Sequence, residues 1–592
     1  MDRMAPLCMA LFLLCVLRVG ARPNFVIIMA DDLGYNDLGY TGNPDIQTPN
    51  LDKLAGQSVR FEQFYSHPTC APTRASLLTG RNFMKTGVWG VHGARDYLSR
   101  DETTFADVLR WSGYKTGMFG KWHNGKTDGY HPWDRGFQEA CKTDLYDYFD
   151  NSATCNGKSR WAPGWTIQRI TDWSIDFIDR HANHQEFLLY IPLMTPHLGK
   201  TWYGETEFWH APEANVDKYR QIGFSEGTAR LYGMIDFMDW NMGRIFDRLD
   251  QLEIADNTVV MFFSDNGPIG KELVPAWEWE RRNPDMLHGN KGEVWENGIR
   301  SPLYVRWSGR FEPATVKRGI VQVEDIFPTL MELAETQGGD KPLDGKSLAP
   351  LLFNPTEVSN EWRWRTIYRT IESPEWTRAG GIYELLPDWS TDKSGLKFGF
   401  EGRWAIRQGR WKYLNINGGQ LLYDIWNDPS EKTPVWDWQK IGELDAWIQK
   451  WWDGILESPL SFSVNPFYIG WRFDSMIFMM GTVEKSNDIE VRSHNVQGFV
   501  KKGSFLKYKL VVLKAAKYTV KITKWGAWKG DAEVNVNCGG VWSSTSGFVE
   551  GDVIGQINLQ TAGNSCWMEF RIQSGTGFFA ADILRFQEIL TN

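Results

Sequence analysis

The sequence predicts an α/β fold: a central, mostly parallel sheet flanked by helices, followed by a small subdomain and an appended β-sandwich. Three observations carry this expectation. Short apolar runs at Asn24–Met29, Phe187–Leu193 and Thr258–Phe263 each end in a polar cluster, the pattern of buried strands feeding loops. Between the second and third runs, Leu231, Ile235, Met238, Met242, Ile245 and Leu249 recur at helical spacing. Past about Ser458 the helical period vanishes. There apolar and polar residues alternate, in Leu506–Leu513 and Tyr518–Trp525 around a Lys-Ala-Ala-Lys turn.

In chain order, residues 1–21 read as a signal peptide. Arg3 gives a basic start, Leu7–Leu17 is an apolar run too short to span a bilayer, and Val19-Gly20-Ala21 is a small-residue cleavage site. Residues 22–345 are assigned to the catalytic α/β unit, with further helices at Phe105–Trp111 and Ile326–Ala334. Pro342–Leu352 reads as a linker. Residues 346–457 form a smaller C-terminal subdomain with strand-like pieces between Arg403 and Leu414, and residues 458–592 form the β-sandwich. Parallel sheets of this class bind ligands beyond the C-terminal strand ends. That rule puts Asp31, Asp32, His197, Asp265 and Asn266 at the candidate site.

Composition narrows the functions. With a net charge of -9 the chain has no general attraction for polyanions, so nucleic acid is not an expected partner, although a local basic pocket can still hold a sulfated one. The hydrophobic fraction of 42% supports a large core, and 31 tryptophans leave some for sugar stacking. No later segment reads as membrane-spanning. Of seven cysteines, Cys8 and Cys15 leave with the signal peptide. Pairing Cys141 with Cys155 and Cys538 with Cys566 is the economical arrangement for an exported protein, and it leaves Cys70 alone. The Asn354-Pro355-Thr356 triplet is blocked as a glycan acceptor by its proline, which points to a secreted, extracellular or periplasmic location rather than a lysosomal one.

Cys70 is placed near the N-terminus of a helix beginning around Thr73, where free N–H groups favour negative charge. Asp31-Asp32 and Asp265-Asn266 offer hard oxygen ligands that suit one Ca²⁺ ion, or Mg²⁺, rather than Zn²⁺. Singly, each of these features has a plainer explanation. Acidic pairs usually cap turns, a lone lysine is usually solvated, and a lone histidine or thiol is more often structural than catalytic.

Their order along the chain resembles the type I, formylglycine-dependent sulfatases of the alkaline phosphatase superfamily. Cys70-Ala71-Pro72-Thr73-Arg74, continuing through Ser76, Leu77, Thr79, Gly80 and Arg81, matches the family's C-x-P-x-R signature and its extension. Gly120-Lys121-Trp122-His123-Asn124-Gly125, Thr195-Pro196-His197 and His288-Gly289-Asn290-Lys291-Gly292 resemble later family elements, and Glu296–Pro302 is a weakened version of another. The resemblance covers about residues 22–455, through Leu422-Tyr423-Asp424 and Asn427–Glu431.

It implies hydrolysis of sulfate esters, and an exported chain with a sugar-binding-like C-terminal region makes a sulfated saccharide the expected natural substrate. It also implies oxidation of Cys70 to formylglycine by a maturation enzyme, giving a hydrate with one hydroxyl to attack sulfur and a second to break the covalent intermediate. Asp31, Asp32, Cys70, Asp265 and Asn266 would hold the metal. Lys121, His197 and Lys291 would bind substrate, with His197 as general acid to the leaving alcohol. His123 would act as base, and Arg74 would brace the formylglycine and the metal carboxylates. His67 and His92 are read as structural. Asn297 for Gly, His288 for Arg and Asn124 for Leu depart from the family pattern without removing a proposed catalytic group. Residues 458–592, through Phe505–Tyr508, Tyr518–Val520 and Gly577–Phe579, are weakly similar to carbohydrate-binding β-sandwich modules. A phosphate or phosphonate ester hydrolase of the same superfamily, and a catalytically inactive glycan-binding protein, are the alternatives.

Overall fold

A computed structural model describes residues 22–592 apart from positions 93, 200–207, 357–358, 372–402, 417, 462–464, 471–473, 480–482, 487, 492–495, 525–528, 550–552, 576–577 and 590–592. The signal-peptide segment lies outside the described residues, as do Trp525 and Gly577. The central sheet is built from β1 (Asn24–Ala30), β2 (Val59–Tyr65), β3 (Lys115–Gly120), β4 (Glu139–Thr143), β5 (Phe149–Cys155), β6 (Lys158–Trp165), β7 (Phe187–Pro192), β8 (Thr258–Ser264), β9 (Arg300–Arg306), β10 (Val316–Lys317) and β11 (Val321–Gln322). Its order is β10-β2-β9-β8-β1-β7-β3-β4-β5-β6, with β11 also on β2. The run β8-β1-β7-β3-β4 is parallel throughout, and antiparallel strands flank it on both sides.

β1 shows why the apolar runs do not alternate. Phe25, Ile27 and Met29 enter one buried cluster, shared with Ala71, Leu77, Phe105 and Phe327 of helices on that face. Val26, Ile28 and Ala30 enter another, shared with Ile170, Ile235 and Met242 of helices on the opposite face. A strand covered on both faces has no side left for polar residues. The helix Glu226–Gln251 buries Leu231, Ile235, Met238, Met242, Ile245 and Leu249, as its period predicts.

Two local expectations change. The helix expected near Thr73 begins at Cys70, with Thr69 extended before it. Pro72 falls in the first turn, where its missing N–H costs nothing, so it does not delay the start. The stretch read as a linker is packed. Leu348, Ala349, Leu351 and Leu352 are buried in the first cluster, and Asp344 pairs with Lys85 at 2.6 Å.

β12 (Thr366–Thr370), β13 (Trp404–Gln408), β14 (Trp411–Ile416) and β15 (Gly419–Asp424) form a small antiparallel sheet. The following helix, Trp438–Glu457, sends Trp452 and Ile455 into the core of the large sheet. A fully buried ion cluster ties the two sheets together. Lys412 Nζ lies 3.0 Å from Glu296 and 2.7 Å from Glu431, whose second oxygen accepts from the Glu296 N–H at 2.7 Å.

The remaining strands are β16 (Phe467–Ile469), β17 (Asp474–Phe478), β18 (Glu484–Lys485), β19 (Glu490–Val491), β20 (Val496–Phe499), β21 (Phe505–Val512), β22 (Lys517–Lys524), β23 (Asp531–Cys538), β24 (Val541–Phe548), β25 (Val553–Asn558), β26 (Gly563–Ile572) and β27 (Phe578–Glu588). They make two sheets, β16-β21-β26-β23-β24 and β19-β20-β27-β22-β25, with β18 on β21 and β17 on β27. Alternate residues such as Val534, Val536, Met568 and Phe570 fill the space between them. Tyr97 and Tyr130 of the first region belong to the same cluster. Tyr130 donates to the Pro466 carbonyl at 2.6 Å, and Asn465 donates to the Tyr97 carbonyl at 2.6 Å. Both expected disulfides are present, and Cys70 is free and buried.

Candidate active site

The parallel strands β8, β1, β7 and β3 end side by side, and backbone hydrogen bonds bind their outgoing loops. Asp265 N–H donates to the Ala30 carbonyl, Leu193 N–H to Met29, Asp31 N–H to Thr195 and Lys121 N–H to Pro192, at 2.7 to 3.1 Å. The last contact is possible because residue 120 is glycine. At its φ of +133° a Cβ would stand 2.0 Å from the Pro192 carbonyl oxygen. Asp32 and His123 also take positive φ, 67° and 57°, which aims adjacent residues of one loop toward a common point.

There the structure brings together nearly every residue expected from the sequence. Ligand atoms of Asp31, Asp32, Cys70 and Asp265 lie within 4.8 Å of one another, and those of Asp32, Cys70 and His197 do too. Arg74, fully buried, donates to Asp265 Oδ2 from Nη2 at 2.7 Å and from Nε at 3.1 Å, and to the Lys121 carbonyl at 3.2 Å. Lys121 Nζ meets Asp31 Oδ2 at 2.7 Å, Lys291 Nζ meets Asp32 Oδ1 at 2.8 Å, and Asn266 Nδ2 donates to Asp32 Oδ1 at 2.7 Å.

The electrostatics show what the cluster lacks. Burial pushes the Asp31 carboxyl up, but Lys121, His197, Arg74 and Lys291 outweigh it and hold the group well below the usual carboxylate range. Burial and the neighbouring Asp31 charge push Asp265 up to about 7, against Arg74. Asp265 thus stays crowded by Asp31 despite Arg74. Asp31 Oδ1 and Asn266 Oδ1 are buried with no hydrogen-bond partner. Orphaned hard oxygens beside repelling carboxylates fit a divalent cation such as Ca²⁺. Burial raises the Cys70 thiol to about 12 against Lys121 and Lys291, so as a thiol it is not an activated nucleophile.

The two histidines differ in which nitrogen is free. His123 Nε2 lies 3.0 Å from the Val91 carbonyl, so it carries the proton, and Nδ1 is a buried lone pair without a partner. Burial, then Lys121, holds its imidazolium well below the ordinary value, so the ring is neutral. His197 binds the Leu198 carbonyl through Nδ1 at 2.7 Å and presents Nε2, 3.5 Å from Asp32 Oδ2. Burial brings its pKa down to about 4, with Asp32 acting in the other direction.

Asn124, one of the departures from the family pattern, is buried and donates to the Ala71 carbonyl at 3.2 Å, next to Cys70. His288 stacks on Trp295 at 4.0 Å, and His67 is buried against Glu324 and Ser76. His92 lines the cavity over Cys70, which has a volume of about 680 Å³.

The sequence reading missed the wall formed by the β4–β5 loop. Tyr146, at φ 71°, stacks on His197 with ring centres 4.3 Å apart, and Lys121 Nζ lies 5.5 Å from the same ring. The Tyr148 hydroxyl sits 2.6 Å from the His197 carbonyl. The Cys141–Cys155 pairing was the available signal, since a short disulfide loop on a sheet strand fixes whatever it carries.

The chain matches the Sulfatase family model over residues 23–336. Steryl-sulfatase of Rattus norvegicus is 27% identical, over 71% of this chain and 86% of its own length. N-acetylgalactosamine-6-sulfatase of Homo sapiens is 31% identical, over 56% of this chain and 66% of its own. Among solved structures, Ps i-CgsB in complex with k-i-k-neocarrahexaose superposes with a TM-score of 0.61 at 26% identity, covering 74% of this chain and 94% of that one.

Proposed function

This chain belongs to the sulfatase family and is a sulfuric ester hydrolase of the type I, alkaline-phosphatase-like group, and from that premise we propose that it desulfates a saccharide through a modified Cys70. The observation that carries the reading is the convergence of Cys70, the oxygen side chains, two lysines and two oppositely oriented histidines at the base of one cavity.

Conversion of Cys70 to formylglycine would supply a hydrated aldehyde with two hydroxyls on one carbon, one nucleophilic and one for release. A calcium ion held by Asp31, Asp32, Asp265 and Asn266, together with the residue-70 oxygen, would supply Lewis-acid charge at the sulfate. The chain's own groups do the rest. Lys121 and Lys291 neutralise the sulfate oxygens and lower the barrier as charge builds on them. Nε2 of His197 faces the leaving alcohol and donates from the imidazolium form, which the negative charge of a bound sulfate ester favours over the neutral ring. The bare Nδ1 of His123 accepts a proton from the residue-70 hydroxyl as sulfate departs. Arg74 holds Asp265 and the Lys121 backbone in place. Three carboxylates against Arg74, Lys121 and Lys291 leave the cluster near neutral, so a bound dication would balance the charge of a sulfate ester and an ionised nucleophile.

A sulfated saccharide is favoured because Ps i-CgsB was solved with a carrahexaose and the human relative is named for a sulfated amino sugar. Export is supported by the two disulfides, which persist in oxidising compartments. No described helix is long and apolar enough to cross a membrane. Residues 22–345 would be the catalytic unit, 346–457 the subdomain that shares its core, and 458–592 a carbohydrate-binding module.

Mass spectrometry of the Cys70 peptide from protein made in its native host tests the mechanism. The expected result is the mass loss that separates an aldehyde from a thiol, with turnover of 4-nitrophenyl sulfate far above 4-nitrophenyl phosphate. A fully unmodified Cys70 in active protein would sink the proposed chemistry.

A further inference from the structure

The outer face of the sheet β16-β21-β26-β23-β24 carries two large rings in water. Trp542 is 66% exposed and Trp567 45% exposed, and neither touches another ring among the described residues. Burying such a ring is worth a few kcal/mol, so leaving two of them out on one face calls for a reason.

The strand register places them in one row. Asn537 of β23 stands directly opposite Trp542 on β24 and Trp567 on β26, and Trp567 stands opposite Lys509 on β21. Directly paired residues share a face, so the row reads Lys509, Trp567, Asn537, Trp542. The two rings stand two strands apart, about 9.5 Å, roughly the length of a disaccharide in an extended chain, and the Asn amide lies between them.

The row is fixed and open. The neighbouring inward pair, Cys538 and Cys566, is directly opposed across β23 and β26 and joined by a disulfide, which forbids the one-residue slip that would turn the rings inward. Beyond it, Gly539 and Gly540 make the two-residue β23–β24 turn with φ of 59° and 87°. A Cβ at either would meet nothing within 4 Å, so the turn beside Asn537 and Trp542 stands clear of the other described residues. β16, which contacts the catalytic region, is at the opposite edge of the sheet. Lys509 is exposed and makes no ion pair among the described residues, so the row ends in uncompensated positive charge.

We propose that this row is a glycan-binding platform, with Trp542 and Trp567 stacking on sugar rings, Asn537 hydrogen-bonding hydroxyls between them and Lys509 pairing with a sulfate of an anionic saccharide chain. Stacking on the faces of both rings selects an extended oligosaccharide over a monosaccharide, and Lys509 selects a sulfated chain over a neutral one. The proposal rests on the saccharide reading of the catalytic site for its ligand class, and on the sandwich alone for its geometry.

The test uses the full chain and cross-linked carrageenan beads, with dextran beads as the neutral comparator. Trp542→Ala and Trp567→Ala each weaken binding to carrageenan by about tenfold. Trp111→Ala, at an exposed ring elsewhere, leaves it unchanged. Lys509→Gln weakens carrageenan binding and removes the preference over dextran. All four keep full turnover of 4-nitrophenyl sulfate, which reports a folded catalytic region, and Trp542→Phe keeps part of the binding. Wild-type protein that binds neither bead, or tryptophan variants that bind carrageenan as well as wild type, would overturn the platform. So would variants that lose only self-association of the chain. Retention on carrageenan without release of sulfate from it supports the platform and counts against the saccharide reading of the catalytic site.

Discussion

The buried ends of the parallel strands and the outer row of the sandwich depart from the usual placement of polar and apolar groups in opposite directions. At the strand ends Asp31, Asp32, Arg74, Lys121 and Asp265 are 0% exposed, where an isolated charge is strongly disfavoured. On the sandwich, Trp542 and Trp567 stand in water. The difference lies in what compensates each group. Every buried charge is balanced by a residue from another loop, so the cluster is one unit and its chemistry is coupled to the stability of the fold. The exposed rings touch no other ring among the described residues, so each can be removed with little disturbance to its neighbours. Function should therefore be lost together with stability in the first region and separately from it in the second.

The largest expected effect falls on Arg74. Arg74→Met keeps much of the side-chain volume but strips the cation from between Asp265 and Asp31, leaving crowded buried carboxylates. Breaking a buried pair in this way costs about 3–5 kcal/mol. Calorimetry should show the transition of the catalytic region moving down by several degrees, with carrageenan binding at low temperature unchanged and aryl sulfate turnover abolished. Added calcium should recover part of the lost stability, since a ligand that binds only the folded state stabilises it. An Arg74→Met protein with wild-type stability would mean the charges are not coupled as drawn.

Acid should separate the two regions further. Burial pushes Glu324 up, but Arg369 and His67 outweigh it and bring its pKa down to about 2. A carboxylate depressed in the folded state contributes stability that is complete above its ordinary value of 4.5 and is lost as pH falls toward 2. His67, lowered by burial against the pull of Glu324, acts in the same direction, since it resists the proton that the unfolded chain takes up below 6.5. The catalytic region should lose about 3 kcal/mol between neutral pH and strong acid from Glu324 alone. Glu324→Gln should lower stability at pH 7 and flatten that acid slope. A slope identical in wild type and variant would remove Glu324 as its source.

The coupled region was also the more legible one in the sequence. β1, β7 and β8 appear within a residue of their expected bounds because a strand covered on both faces has to be written as an uninterrupted apolar run. Once those strands are placed, Asp31, Asp32, His197, Asp265 and Asn266 follow at their ends. Cys70 stands out as the cysteine left unpaired, but its role, and Lys121, His123 and Lys291 altogether, come from family resemblance, and the fold gathers them. The β4–β6 extension left little trace, because β6 is largely exposed and its residues are free to be polar. The Glu296–Lys412–Glu431 cluster and the Trp542–Trp567 row depend on pairings between distant segments, which no local period encodes.

The smallest effect tests whether the two regions are separate at all. Tyr130 lies on the loop that follows Lys121 and His123, its carbonyl accepts from Trp122 Nε1 at 2.7 Å, and its hydroxyl reaches the Pro466 carbonyl at the foot of the sandwich. Tyr130→Phe removes the hydroxyl that makes that last bond and meets Tyr468, at a cost of about 1 kcal/mol, and leaves the ring in the shared cluster and the Trp122 contact intact. If the sandwich is simply seated on the catalytic region, Tm falls by a degree or two and kcat and KM on a small aryl sulfate do not move. A fall in kcat beyond about tenfold, which is more than the loss of one such bond explains, would show that the sandwich holds the loop bearing His123 in its working position. The contrast between a coupled catalytic cluster and an independent binding face would then have to be redrawn, because part of the sandwich would belong to the catalytic unit.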